Sequence, residues 1–252
     1  MSTLVYTRYE LLRVARNRQG MLFSLLFPLI MYFLLAAPNR NDHNFGGDSK
    51  HHTGLFAPQY YMVGLLAFGA MVAVMSAGAR IAAERTIGWN RQLRLTPLSA
   101  ADYLRAKVTT SYVVALSSML LLYVCGIALG VRMPVESWLK MTALVLIALI
   151  PFAALGIAGG HLLNEDAAGA GLGGIVSLFA FLGGTWFPIT GGGGFQQFCE
   201  LLPSFWLVRA GQVGLGGSGN PWGTEGWVVL AAWSAVCAAF AVWAFRRDTK
   251  RA

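Results

Sequence analysis

The 252-residue chain is 56% hydrophobic and only 12% charged, with a mean hydropathy of +0.56. A soluble protein of this size could not bury so much apolar side chain, which excludes that class. The net charge of +8 does not indicate nucleic-acid binding, because the basic residues lie at the ends of apolar runs rather than in one patch. Three cysteines without CxxC spacing predict neither a disulfide framework nor a zinc site.

The N-terminal segment, residues 2–18, is basic and amphipathic. Its apolar positions share roughly one half of a helix, and four arginines lie among them. This pattern predicts an interfacial helix on the cytoplasmic leaflet, with the arginines extending to the lipid head groups. A cleaved signal peptide is the alternative, because an apolar run follows the basic segment, but no clean cleavage site of small residues is present.

The first predicted span is short and runs from Met21 to Ala37, with Pro28 inside it. Proline is tolerated in membrane helices because neighbouring groups satisfy the freed carbonyl. Residues 38–57 follow as a polar outer loop that contains Asp and His. Their spacing matches no ligand pattern of a metal site, so we expect a solvated loop and no metal.

Two uncharged apolar runs, residues 60–79 and 108–129, are predicted as the second and third spans. Residues 80–107, between them, form the most charged segment of the chain and contain six Lys or Arg residues. Cytoplasmic loops of membrane proteins carry such an excess of basic residues. The sequence therefore predicts a cytoplasmic loop over residues 80–107, accessible to a partner in the cytoplasm.

Three further spans complete an all-α membrane protein with six transmembrane helices. The fourth follows Trp138 and continues to about Gly160, the fifth covers residues 167–186 and the sixth covers residues 226–245. Small residues four apart within the spans predict close helix packing rather than a nucleotide-binding loop, because no strand precedes the glycines. These pairs are Gly126/Gly130, Gly156/Gly160 and Gly169/Gly173.

The region between the fifth and sixth spans, residues 187–225, contains two apolar stretches too short to cross a bilayer, with Pro203 between them. These two half-length stretches predict a re-entrant helical hairpin on the outer side. Non-helical backbone at that depth must be buried in protein or face water, so we expect a cavity or an exit gate there. Glu200 and Arg209 form either a buried functional pair or two separate interfacial charges. The candidate residues for an outer gate are Phe187, Pro188, Glu200 and Arg209.

The distribution of basic residues predicts the topology. Fourteen of the nineteen Lys and Arg residues fall on one side of the six-span arrangement, including those at both ends of the chain. By the positive-inside bias, that side is the cytoplasm. We therefore predict a single transmembrane domain, residues 1–252, that is multi-pass in the cell (plasma) membrane with both termini cytoplasmic.

The cores of the predicted spans contain no Asp, Glu, Lys, Arg or His, and the chain has no Walker A motif. Ion-coupled carriers need binding groups at membrane depth, and P-loop ATPases need the phosphate-binding loop. We therefore expect a transport subunit that is not itself an enzyme. Energy for transport must then come from a partner.

A motif within residues 80–107 resembles the cytoplasmic loop of type-2 ABC exporter permeases, which reads E-R-E-x-G-T-x-x-x-L-x-x-T-P-L-S-x-x-x-Y-x-x-x-K. The chain departs from it at Thr86 and Trp89, where the family has an acid and a threonine. Residues 183–189 and 202–209 also resemble this family in order, with daunorubicin-type exporter permeases as the nearest subgroup. The matching loop residues are Glu84, Arg85, Gly88, Leu93, Thr96, Pro97, Leu98, Ser99, Tyr103 and Lys107.

The resemblance implies two six-span permease subunits, identical or homologous, and two separate ABC ATPase subunits that bind ATP and Mg. The cytoplasmic loop would supply an amphipathic coupling helix that docks in the ATPase, so that closure of the ATPases tilts the spans. The coupling residues implied by the resemblance are Glu84, Arg85, Gly88, Trp89, Leu93, Leu95, Thr96, Pro97 and Leu98.

The substrate path is expected to be apolar, with Tyr112, Phe179 and Trp186 as candidates, although such aromatic residues are more often core or lipid-facing. The leading hypothesis is an exporter permease for an amphipathic compound, such as a drug, antibiotic or lipid. Export of a lipid-linked polysaccharide and a non-transporting membrane scaffold or sensor subunit are the alternatives. The expected partners are the lipid bilayer, the ATPases and the second permease, with no nucleic acid.

Overall fold

The computed structural model describes residues 3–17, 22–43, 56–89, 92, 98–187, 189, 193–212 and 222–251. Within these ranges the elements are helical and no strand occurs, which confirms the all-α prediction. The helices are α1 (Thr3–Arg16), α2 (Phe27–Ala36, after a π-helical turn at Leu22–Leu26), α3 (Ala57–Thr86), α4 (Ala100–Ala128), α5 (Val135–Ala148), α6 (Ile150–Leu162), α7 (Glu165–Leu182), α8 (Gly194–Glu200), α9 (Pro203–Gln212) and α10 (Gly223–Arg251).

Five helical segments of the described chain are long and apolar enough to cross a membrane. They correspond to the second to sixth predicted spans. The first predicted span contains only a shorter apolar helix, Ser24–Ala36. At about 1.5 Å per residue this helix is about 20 Å long, which is less than the hydrocarbon core of about 30 Å. The five spanning segments are α3, Ala101–Ala128 in α4, Val135–Leu162 over α5 and α6, α7, and Gly223–Asp248 in α10.

Helix α3 is the centre of the bundle. The most apolar window of α3 is 83% buried, whereas the corresponding windows of α7 and α10 are each only 22% buried. Five helices pack against α3, namely α2, α4, α6, α7 and α9. Exposed apolar side chains on α7 and α10 suit a lipid environment, because lipid tails solvate them as well as protein does.

Glycines allow α3 and α6 to pack backbone to backbone. A Cβ added at Gly78 of α3 would overlap the carbonyl oxygen of Gly156, and one added at Gly160 would lie 2.5 Å from the carbonyl oxygen of Gly78. The predicted Gly156/Gly160 pair therefore does form a close helix contact. By contrast, Gly169 and Gly173 have no atom within 4 Å of an added Cβ, so that pair leaves an open face on α7.

The ends of α3 and α4 extend into the segment that was predicted as a cytoplasmic loop. Helix α3 continues to Thr86, and α4 begins at Ala100 after the cap residue Ser99, whose hydroxyl accepts a 3.1 Å hydrogen bond from the backbone N–H of Asp102. Charged residues near both helix ends are therefore held in regular helix. Between these two helices, residues 90, 91 and 93–97 lie outside the described residues.

Two short helices, α8 and α9, occupy the region between α7 and α10, as the sequence predicts. Helix α9 begins at Pro203, where a missing N–H costs no intrahelical hydrogen bond. It is buried along most of its length and packs mainly on α5 and α3. Helix α8 instead exposes Phe195 and Phe198. A re-entrant path of these helices through the membrane stays a prediction.

The close α3–α6 contact gives a stability prediction. Gly78→Ala should lower the free energy of unfolding by about 1–3 kcal/mol, because the added methyl group meets a backbone carbonyl that cannot move aside. Gly174→Ala on α7 is the matched control, since nothing lies within 4 Å of its Cβ position. Thermal unfolding in detergent measures both variants, and equal losses would contradict the assigned packing.

Candidate functional site

Charged side chains from three helices meet at one end of the bundle. Glu10 and Arg13 are one turn apart on α1, Glu84 lies in the last turn of α3, and Tyr103 and Lys107 are one turn apart on α4. Residues three or four apart share one face of a helix, so α1 and α4 each present a pair toward Glu84. We call these five residues the charge cluster.

The carboxylate of Glu84 is the centre of the charge cluster. Its Oε1 accepts hydrogen bonds from Lys107 Nζ and from Arg13 Nη1, the latter at 2.5 Å, and its Oε2 accepts from the Tyr103 hydroxyl at 2.7 Å. Lys107 also donates to Glu10 Oε1 at 2.5 Å. The side chains of Glu84 and Lys107 are 0% exposed. Burial of such charges requires pairing of this kind, because an unpaired buried ion is strongly destabilising.

The aromatic wall of the charge cluster consists of Tyr6 and Tyr103, whose ring centroids are 6.1 Å apart. Burial raises the pKa of the Tyr6 hydroxyl above its usual range, and the negative charges of Glu84 and Glu10 raise it further. Tyr6 therefore stays neutral at physiological pH. The charges around Tyr6 therefore come from its Glu, Arg and Lys neighbours.

Arg80 lies one turn before Glu84 on α3. Its Nη1 donates a 2.9 Å hydrogen bond to Ser76 Oγ, and its charge interacts with Glu10 and Glu84. The Nε and Nη2 atoms are buried and have no hydrogen-bond partner among the described residues. Arg80, Arg13 and Lys107 face only the two carboxylates of Glu10 and Glu84, so these five side chains together carry one excess positive charge.

Arg85 points away from the charge cluster toward α6 and α10. Its Nη2 lies 2.8 Å from Asp248 Oδ1, and its Nη1 donates to the carbonyl oxygens of Gly160 and Leu163 at 3.1 Å each. Glu84 and Arg85, adjacent in sequence, therefore connect the end of α3 to different helices, Glu84 to α1 and α4 and Arg85 to α6 and α10. Neither side chain is presented mainly to solvent.

The loop after α3 exposes an apolar residue that the sequence reasoning did not single out. Ile87 is 69% exposed, and Gly88 turns the chain with a φ of 72°, a conformation that favours glycine. Trp89 is partly buried, and Leu98 packs on Tyr6 and Tyr103. A single isoleucine after a helix belongs to no periodic apolar pattern, so the sequence alone does not identify Ile87 as a contact residue. The predicted coupling residues Leu93, Leu95, Thr96 and Pro97 lie outside the described residues.

An apolar groove of about 460 Å³ opens between α3, α7 and the start of α2. Aliphatic and aromatic side chains form most of its wall, and Ser76 and Ser177 supply hydroxyl groups. Because Ser76 accepts the hydrogen bond from Arg80, the guanidinium group lies next to one end of the groove. Its main lining residues are Phe27, Phe68, Val72, Met75, Ser76, Leu172, Val176, Ser177 and Trp186.

The three predicted path residues do not lie together. Trp186 lines the groove, with its ring 5.6 Å from that of Phe68. Phe179 packs edge-on against Phe152 at 5.4 Å, on another side of α7. The Tyr112 hydroxyl donates to the carbonyl oxygen of Leu146. Contacts of this kind place Phe179 and Tyr112 in the helix packing, and neither lines the groove.

The predicted outer-gate residues are also separated. Phe187 is exposed, and Pro188 lies outside the described residues. Glu200 accepts a hydrogen bond from Gln196 at 2.9 Å, and the Arg209 guanidinium lies 5.5 Å from the Phe205 ring centroid. No ion pair joins Glu200 to Arg209. The arrangement corresponds to two separate charges.

The hydrogen bond from Tyr103 to Glu84 gives a test of the charge cluster. Tyr103→Phe should lower the free energy of unfolding by about 1.5–3 kcal/mol, because it removes a buried hydrogen bond to a charged acceptor. Tyr112→Phe removes a 3.2 Å bond to a neutral carbonyl and should cost about 0.5–1.5 kcal/mol. Thermal unfolding compares the two variants. A larger loss of stability in Tyr112→Phe than in Tyr103→Phe would contradict the prediction that the bond to Glu84 is the stronger one.

Comparison with known proteins identifies the family. The profile of the ABC-2 family transporter protein matches residues 48–243, which is most of the chain. A Bacillus subtilis (strain 168) protein named "Putative transport permease YvfS" is 28% identical over 204 residues, covering 79% of this chain and 77% of that protein. With five apolar spanning segments, the chain is a multi-pass membrane protein. It belongs to the ABC-2 family of transporter proteins, as a transport permease component.

Proposed function

We propose that this chain is the membrane-spanning subunit of an ATP-driven exporter that moves an amphipathic compound, such as a drug, antibiotic or lipid, out of the cell. ATP and Mg bind to two separate ABC ATPase subunits, and a second permease, identical or homologous, completes the transporter. The chain itself hydrolyses nothing. The groove between α3 and α7 is the observation that carries this proposal.

The groove suits a compound with an apolar body and a polar end. Its volume of about 460 Å³ lies within the range of small-molecule sites, which are mostly apolar with a few placed polar groups. Phe68, Val72 and Trp186 would contact the apolar body. Ser76 Oγ donates to the Ala73 carbonyl oxygen and accepts from Arg80, so it keeps one acceptor site for a ligand at this end. A purely hydrocarbon ligand would leave this polar end unused.

The loop after α3 is the proposed docking surface for the ATPase. Ile87 offers an exposed apolar contact immediately beyond the helix that forms the centre of the bundle. Glu84 has no exposed surface, so its contribution to coupling is indirect. It joins α1 and α4 to the end of α3, and a push on the loop therefore moves three helices together rather than one.

The proposed orientation places this end of the bundle in the cytoplasm of the cell. In the predicted six-span topology, fourteen of the nineteen Lys and Arg residues fall on that side, including those near both termini. Both termini are then cytoplasmic, and α1 lies along the inner leaflet as an interfacial helix. Helices α8 and α9, with Phe187, Glu200 and Arg209, belong to the outer side, where a gate would open.

Docking of the ATPase is tested by changing Ile87. Ile87→Asp should reduce the amount of ABC ATPase that co-purifies with the chain, because a charge replaces an exposed apolar contact. Val135→Asp, at an equally exposed position at the start of α5 on the opposite side, should have no effect. Co-purification from native membranes, followed by an assay of Mg-dependent ATP hydrolysis, measures both. Equal recovery of ATPase with Ile87→Asp would place the docking surface elsewhere.

Binding of a compound in the groove is tested by substitutions at two adjacent residues of α7. Ser177→Trp should block the groove and abolish stimulation of ATP hydrolysis by an amphipathic compound, while ATPase association stays normal. Leu178→Trp adds the same ring at an exposed position that does not line the groove, and should retain stimulation. Stimulated turnover in proteoliposomes distinguishes the variants. If both respond like the wild type, the groove is not the substrate path.

A further inference from the structure

A second pocket, of about 370 Å³, lies at the C-terminal end of α10, next to the last turns of α3 and α6. It differs from the groove because charged and aromatic groups dominate its wall. The proposed coupling role uses only the Arg85–Asp248 ion pair of this pocket. Its lining residues are Arg85, His161, Leu162, Phe240, Trp243, Arg247 and Asp248.

The inner part of this pocket is a hydrogen-bonded triad. The carboxylate of Asp248 lies 2.8 Å from Arg85 Nη2 and 2.9 Å from His161 Nδ1. Since a carboxylate accepts hydrogen bonds, Nδ1 of a neutral His161 carries the proton and Nε2 is left as an acceptor. His161 is 4% exposed, and its Nε2 is buried with no hydrogen-bond partner among the described residues. One polar atom of the triad is therefore unsatisfied.

The outer part of the pocket is a column of side chains along α10. The rings of Phe240 and Trp243 stack with centroids 5.6 Å apart, and the Arg247 guanidinium lies 5.4 Å from the Trp243 ring centroid. Both aromatic side chains are about half-exposed. Arg247 is exposed and forms no ion pair with a described carboxylate. The Arg247 guanidinium is thus positioned by the Trp243 ring, but no described acid neutralises its charge.

Charge and position together indicate the ligand. Arg85 and Asp248 neutralise each other, so Arg247 leaves the pocket with one excess positive charge. The aromatic pair continues the exposed apolar surface of α10, a spanning segment that ends at this level. Aromatic residues followed by a basic residue are typical of the membrane interface, where the head groups of lipids lie.

We propose that this pocket binds the head group of an anionic phospholipid. Arg247 binds the phosphate through charge-assisted hydrogen bonds, and the Phe240–Trp243 wall packs against the glycerol and the upper acyl chain. A free phosphate could use only the first of these contacts, so the lipid is the specified occupant. Phosphatidylglycerol has the required chemistry.

The test compares two adjacent arginines in the full-length protein. Phosphatidylglycerol should raise the thermal unfolding temperature of detergent-solubilised wild type more than phosphatidylcholine does. Arg247→Gln should weaken the apparent affinity for phosphatidylglycerol about tenfold, which is the loss expected when a hydrogen bond to a charged group is removed. Arg246→Gln is the matched control, because Arg246 is exposed but does not line the pocket. It should behave like the wild type.

Two results would overturn this site. Equal weakening by Arg246→Gln and Arg247→Gln would mean that only the general positive charge of the helix end attracts the lipid. Equal stabilisation by inorganic phosphate and phosphatidylglycerol would mean that the pocket is a free-anion site. Native mass spectrometry of retained lipid gives an independent readout, in which wild type and Arg246→Gln, but not Arg247→Gln, should keep bound phosphatidylglycerol.

Discussion

The ion pair between Glu84 and Lys107 is the constraint on which this end of the bundle depends. Both side chains are fully buried, and each has a further partner on α1, Arg13 for the acid and Glu10 for the base. Removing water from these charges is unfavourable unless every charge keeps its partners. Helices α1, α3 and α4 must therefore hold one relative arrangement. A set of hydrophobic contacts would tolerate sliding that this network does not.

The network explains how α1, which is not one of the apolar spanning segments, can matter to the spans. Helix α1 has a basic, amphipathic sequence and packs on α4. Without Glu10 and Arg13 it would be held mainly by its apolar face. The ion pairs fix it to the end of α3, whose other side is joined by Arg85 to α6 and α10. Force applied to the loop after α3 would then reach both sides of the bundle, in agreement with the proposed coupling role.

Much of the fold followed from the sequence, because apolar runs of sufficient length have few alternatives in a membrane protein. Five of the six predicted spans correspond to helices that are long and apolar enough to cross a membrane. The break at Pro203 does separate two short helices. The extent of α3 and α4 was not predictable from hydropathy. Charged residues that pair inside a bundle and charged residues in a loop look the same in a sequence profile.

The candidate site was predictable only in part. The motif pointed to Glu84, Tyr103 and Lys107, but not to their mutual bonds or to their contact with α1, since pairing between distant segments is a tertiary property. Likewise, the Gly156/Gly160 pair packs closely and the Gly169/Gly173 pair does not, although both have the same spacing. Only the position of the facing helix distinguishes them. The groove beside Trp186 likewise depends on how α3 and α7 face each other, so no local sequence pattern reveals it.

A double-mutant cycle at Glu84 and Lys107 tests the central claim most directly. Thermal unfolding is measured for the wild type, Glu84→Gln, Lys107→Met and the double variant. If the buried pair fastens α3 to α4, the double variant should be less destabilised than the sum of the two single variants, with a coupling energy of about 1–3 kcal/mol. Losses that add within about 0.5 kcal/mol would contradict the account, because they would show that the two residues act independently.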